Sequence, residues 1–209
     1  MRNLAKSSIV AGAIGAVAAL LFSGTAQAAT TVSSGHVDVL ALAYDDTANK
    51  LDLNVKLYAT GQIVEPADVI FDVHSAHQVT QANATACRWD AGTNWVLPRL
   101  ETTGKIWAGW NTEGLNRADF GGSVTVDLLS YTAPTGGQVS VYDAATGVTR
   151  LHTDPACDDG TIAVSESHHH PTWVFTEPGT YTLTFQLTGT HVTDGAVTSD
   201  PVTYTFDVG

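Results

Sequence analysis

The chain reads as an all-β protein, an immunoglobulin-like β-sandwich formed by a single domain behind a cleaved leader. Three observations predict this. Apolar residues alternate with period two through nearly every ordered segment, turn signals separate those segments, and no amphipathic helix pattern follows the leader. A jelly roll is the second architecture compatible with the same pattern.

The first element is an export signal. Arg2 and Lys6 give a positive start, residues 9–22 an apolar stretch, and Ala26-Gln27-Ala28 a small-residue cleavage site. Residues 1–28 are therefore expected to be removed, leaving a secreted domain over 29–209. The apolar stretch is short for a membrane span and no second one follows, so the mature chain is expected to have none. The closing Thr205-Phe206-Asp207-Val208-Gly209 carries no sorting motif, so no covalent wall anchor of its own is expected.

Strands follow. Val37, Val39 and Ala41 are expected on one face, with His36, Asp38 and Leu40 on the other. Leu51, Leu53, Val55 and Leu57 alternate with Asp52, Asn54 and Lys56. Val69, Phe71 and Val73 come next, then Val124, Val126 and Leu128, then Val139 and Val141. The last two strands are the clearest: Tyr181, Leu183, Phe185 and Leu187, then Val202, Tyr204, Phe206 and Val208. Threonines fill the alternate positions, as suits half-buried strands. Asp45-Asp46-Thr47-Ala48-Asn49, Gly121-Gly122, Pro134-Thr135-Gly136-Gly137, Pro178-Gly179 and Asp194-Gly195 supply the turns. Glu177-Pro178-Gly179-Thr180-Tyr181 resembles a tyrosine corner, with the ring packed inside and the hydroxyl bonded to backbone.

The stretch from Ala76 to Asp119 is less regular and holds Trp89, Trp95, Trp107 and Trp110. It reads as a long insertion capping one end of the sandwich. Alternatively, Trp95, Trp107 and Trp110 form a stacking platform for cell-wall glycan, which would make the protein an adhesion module. Cys87 and Cys157 are the only cysteines, and in an exported chain an even pair predicts a disulfide. The rival reading, two thiolate metal ligands, lacks a CxxC spacing.

Charge narrows the partners. The chain carries a formal −12, and losing Arg2 and Lys6 with the leader takes it to −14. Such a domain repels nucleic acid and anionic lipid and gathers cations. No GxSxG elbow, HExxH helix or glycine-rich phosphate loop occurs, and paired acids such as Asp45-Asp46 and Asp158-Asp159 fall in turns. A catalytic role is not expected.

The most informative run is Ser167-His168-His169-His170-Pro171-Thr172-Trp173, which puts three imidazoles where a strand is expected. In extended backbone His168 and His170 share a face and His169 points away. Two imidazoles so placed can converge on zinc or another divalent transition metal, completed by further His, Asp, Glu or Cys. His36, in Gly35-His36-Val37-Asp38, is the expected third ligand. The fourth could come from Asp38, His74 or Glu113. His74 and His77 read as loop residues, and His152 and His191 as incidental.

Four strings read together suggest a family. They are Gly35-His36-Val37-Asp38, Trp107-Ala108-Gly109-Trp110-Asn111-Thr112-Glu113, the run from His168 to Tyr181 with its H-x-H-x-x-W-x-F-T-x-P-G-x-Y pattern, and Asp194-Gly195 with Tyr204 to Gly209. Over essentially the whole mature chain, as one copy, the sequence resembles the actinobacterial surface-anchored repeat domain, also called the choice-of-anchor M domain. The resemblance implies export and association with the cell wall. It also implies partnership with an ABC transporter of the zinc/manganese uptake type, or with that transporter's substrate-binding protein. It maps the family's histidines onto His36, His168 and His170, and the matched central motif makes Glu113 the preferred fourth ligand, with His74 or Asp38 next. Thr172 departs from the family, which often has Asn before the tryptophan.

Overall fold

The computed structural model describes residues 28–158 and 160–209; the expected leader lies outside the described residues apart from Ala28. Among them seventeen strands follow one another: β1 (Thr30–Val32), β2 (Gly35–Asp45), β3 (Lys50–Leu57), β4 (Gln62–Val64), β5 (Val69–Val73), β6 (Gln78–Gln81), β7 (Gly92–Leu97), β8 (Ile106–Gly114), β9 (Val124–Thr132), β10 (Val139–Asp143), β11 (Val148–His152), β12 (Thr161–Val164), β13 (His168–His169), β14 (Thr172–Phe175), β15 (Gly179–His191), β16 (Gly195–Thr198) and β17 (Val202–Val208). Among the described residues helical turns are limited to three short 3-10 segments, Pro66–Asp68, Ser75–His77 and Arg117–Phe120.

Three sheets result. The largest runs β1-β5-β17-β15-β9-β12, with β16 also on β15; a second runs β13-β8-β2-β3-β4 and a third β11-β10-β14-β7-β6. The large sheet faces both others. Phe206 of β17 meets Trp173 and Phe175 of β14 at ring-centroid distances of 5.9 and 5.1 Å, and the Tyr204 hydroxyl donates to the Asn54 carbonyl of β3 at 3.4 Å. The fold is thus an all-β sandwich. Its core comes from the alternating residues already named: Tyr181, Leu183, Phe185 and Leu187 are all fully buried, as are Tyr204 and Phe206.

Two local features depart from simple alternation. Both ladders of β2 shift register after Asp38, which makes Val39 a bulge residue. The extra residue turns Leu40 and Leu42 into the core, although Leu40 was expected on the face of His36. The second departure is the segment from Ala76 to Asp119, which contains β6, β7 and β8 and is more regular than expected. Strand β8 lies between β13 and β2 inside its sheet and is buried from Ile106 to Thr112 apart from the half-buried Trp107. A strand covered on both sides has no polar face, and its Ala, Gly and Asn weaken the β-propensity signal.

The Tyr181 hydroxyl donates to the Glu177 carbonyl at 2.7 Å and accepts from the Glu177 amide at 3.1 Å, closing the corner before β15. Its ring packs edge-on to Phe175 at 5.1 Å. Gly137 makes room for it, since a Cβ there would lie 2.7 Å from the hydroxyl oxygen. Across the molecule a disulfide joins Cys87 to Cys157 over 70 residues, with 5.4 Å between the Cα atoms.

Tyr181→Phe strands two backbone groups at the corner. Stability should fall by about 1–2 kcal/mol in denaturant unfolding without a change in the denaturant slope. Reducing the disulfide should cost more, roughly 4 kcal/mol on the chain-entropy estimate for so long a loop.

Candidate metal centre

One face of the second sheet collects the histidines. Register places His36 opposite Trp107, Asp38 opposite Gly109 and His168 opposite Asn111. β8 therefore separates the strand carrying His36 and Asp38 from the edge segment carrying His168 and His170. Side chains from its two neighbours can meet across it only because Gly109 has none. A Cβ on Gly109 would lie 2.6 Å from His170 Nδ1 and 2.7 Å from Asp38 Oδ1.

Four donor atoms converge there. His168 Nε2 lies 3.2 Å from His36 Nε2, 3.1 Å from His170 Nε2 and 3.0 Å from Asp38 Oδ1. Asp38 Oδ1 is also 3.7 Å from His36 Nε2 and 3.9 Å from His170 Nε2. All four atoms fall within 4.8 Å of one another, and the group could hold a metal ion. Hydrogen bonding alone does not account for it. A ring nitrogen offers one proton or one lone pair, whereas His168 Nε2 faces three partners at bonding distance. A cation between the four donors would give each of them a partner.

Three of the four donors have a support of their own. Asp38 is completely buried, and the Asn111 side-chain amide donates to its Oδ2 at 2.6 Å, leaving Oδ1 aimed into the cluster. His170 stacks on the Trp107 indole at a centroid separation of 3.8 Å, and His36 stacks on Tyr58 at 3.6 Å. Burial lowers the His36 pKa against the pull of Asp38, and burial lowers that of His170 to about 4. Both rings are therefore neutral near pH 7, the form that binds metal.

His169 points to the other side of the sheet, with its ring 5.0 Å from that of Trp110. The strand expected through this run is interrupted. β13 ends at His169, and the chain passes through His170 and Pro171 into β14 of the third sheet.

Glu113, the preferred fourth ligand, is not in the cluster. Lys56 is paired with its carboxylate, and the Tyr58 hydroxyl lies 3.5 Å from its other oxygen. That pairing with Lys56 lowers the pKa of Glu113. Asp38 occupies the position instead. His74 caps a 3-10 turn, accepting from the Ala76 amide at 3.3 Å, and His77 is a buried pin whose Nε2 accepts from the Ile106 amide at 2.9 Å. His152 and His191 also lie outside the cluster. Trp95 and Trp110 are buried and Trp107 is occupied by His170, so these three rings form no exposed platform. Gly109, Asn111 and Tyr58 were not singled out from sequence; the signal was the spacing Trp107-x-Gly109-x-Asn111, three alternate residues of one strand face.

Gly109→Ala should force His170 and Asp38 apart and destroy the cluster, while overpacking costs about 1–3 kcal/mol of stability, so the variant stays folded by circular dichroism. A second expectation concerns the metal-free protein. Burial lowers the pKa of His77 and His170 from the ordinary 6.5 to about 4. Between those values the unfolded chain binds protons that the folded chain does not. The stability from these two groups is thus complete above pH 6.5 and falls toward pH 4. Thermal unfolding of metal-free protein should show this decline from pH 6.5 to 5; a flat profile there contradicts it.

The chain matches no protein-family model, no curated protein and no solved structure. Its chemistry is read from the site alone, which is a cluster of three histidines and one buried aspartate able to hold a metal ion.

Proposed function

We propose that the protein is an exported, non-catalytic metal-binding module that captures or buffers zinc at the cell surface for an ABC-type uptake system. The observation that carries this reading is the convergence of three imidazole nitrogens and one carboxylate oxygen within 4.8 Å of one another, with five of the six separations at 3.0–3.9 Å. Tetrahedral zinc with ligands at about 2.0–2.1 Å sets its donors about 3.3 Å apart, inside that range. Neutral imidazole with a single carboxylate suits zinc and its neighbours, whereas calcium and magnesium take oxygen shells. A divalent ion also compensates the buried Asp38 charge, which has no lysine or arginine ion partner among the described residues.

Four protein donors fill a tetrahedral shell, the arrangement of holding sites rather than of hydrolytic ones, which keep a position for water. The acidic surface raises cation concentration near the domain, and the Cys87–Cys157 disulfide suits an oxidising location outside the cell. The uptake partner rests on the resemblance to the choice-of-anchor M domain.

Calorimetry on metal-free protein should give zinc binding far tighter than millimolar; millimolar or weaker affinity removes the capture role. His170→Ala and His168→Ala should each lose most of the binding, whereas His169→Ala should lose little. Equal losses from all three would mean a flexible loop. Affinity should hold at neutral pH and fall in acid, with more than one proton taken up per ion released. Burial keeps His36 and His170 neutral below the ordinary histidine range, so protons compete at these two ligands only in acid. Binding indifferent to pH from 7 to 4 would point to carboxylates as the principal ligands.

A further inference from the structure

The four donors are not equally held. Asp38 is fully buried and fixed by Asn111, His170 is 9% exposed beneath the Trp107 ring, and His36 is 19% exposed against Tyr58. His168 is 34% exposed, and the nearest non-histidine ring, Tyr58, stands 5.8 Å away. It also sits on β13, a two-residue strand at the edge of its sheet, paired on one side only. Three ligands are clamped and the fourth is loose.

Resting on the metal-binding reading above, we infer that His168 is the exchange ligand of this centre. It yields its coordination position to an incoming neutral nitrogen donor, an imidazole side chain on the acceptor, while His36, Asp38 and His170 retain the ion. Shell occupancy stays constant in the exchange, because one metal–nitrogen bond forms as the His168 bond breaks and no proton need move. The geometry favours this corner, the most exposed of the four. Opening at His170 requires the Trp107 indole to leave, and opening at Asp38 exposes a buried carboxylate and breaks its bond to Asn111.

Such a site differs in behaviour from a sealed structural zinc. Release should follow a ligand-assisted path, so its rate depends on what is offered from outside. The half-site left behind should accept a free ligand at the vacated position.

The experiment is chemical rescue with free imidazole, using zinc as the metal. In His168→Gly zinc affinity should drop at least about a hundredfold, more than an outer-shell partner costs. It should then recover about tenfold once imidazole reaches ten times its own dissociation constant for the vacated position. His170→Gly should show no such recovery, because Trp107 covers that position. Equal rescue at both positions, or none at 168, overturns the inference. A measurement on the unaltered protein guards against misfolding of either variant. Zinc transfer to a chromogenic imidazole-bearing chelator should accelerate with chelator concentration, and a concentration-independent rate overturns ligand-assisted exchange. If the unaltered protein binds no zinc at all, the metal-binding reading itself fails, a result distinct from either of these.

Discussion

The absence of a side chain at Gly109 is the constraint on which the site depends. Neighbouring strands lie about 4.8 Å apart, so residues on β2 and on the β13 edge stand about two spacings from each other. Across an ordinary strand their side chains would be held apart by whatever lay between. Glycine removes the obstacle, and Asp38 and His170 close over it. The cost is that β8 carries a weak strand former at its centre. Burial of Ile106, Ala108 and Trp110 on its other face holds it in place.

Around that gap the remaining contacts act as orientation devices. Asn111 fixes which oxygen of Asp38 points inward, Trp107 fixes the plane of His170, and Tyr58 fixes that of His36. Trp107 and Asn111 are alternate neighbours of Gly109 on one face of β8, so the strand that makes room also supplies two of the three supports. Lys56 and Glu113 neutralise each other beside the centre, leaving Asp38 as the carboxylate that enters it.

Much of the scaffold was legible because half-buried strands announce themselves by alternation, as β15 and β17 do. The opposite orientations of His168 and His169 were legible for the same reason. What resisted reading was anything governed by a third strand. β8 lacks alternation because it is covered on both faces, and the Val39 bulge leaves no mark in a run of apolar residues. Glu113 was preferred because it closes the central motif of the family resemblance, and its pairing with Lys56, 57 residues away in sequence, was not visible there. The nearer signal was Asp38, two residues from His36 and therefore on its face. Tryptophans among glycines left an exposed platform open as the alternative to an end cap, because side-chain type does not say whether a ring is covered.

The Cys87–Cys157 bridge spans 70 residues, while His36 and His168 of the cluster stand 132 residues apart. The first loop is nested inside the second. A bound ion would act as an outer clasp around an inner, covalent one, tying β2 to the segment that leads into the last four strands. The inner clasp opens only to reductant; the outer one opens to acid or to a competing ligand. Occupancy of a few cubic ångströms would then be readable across the whole chain, as resistance to proteolysis that comes and goes while the disulfide stays shut.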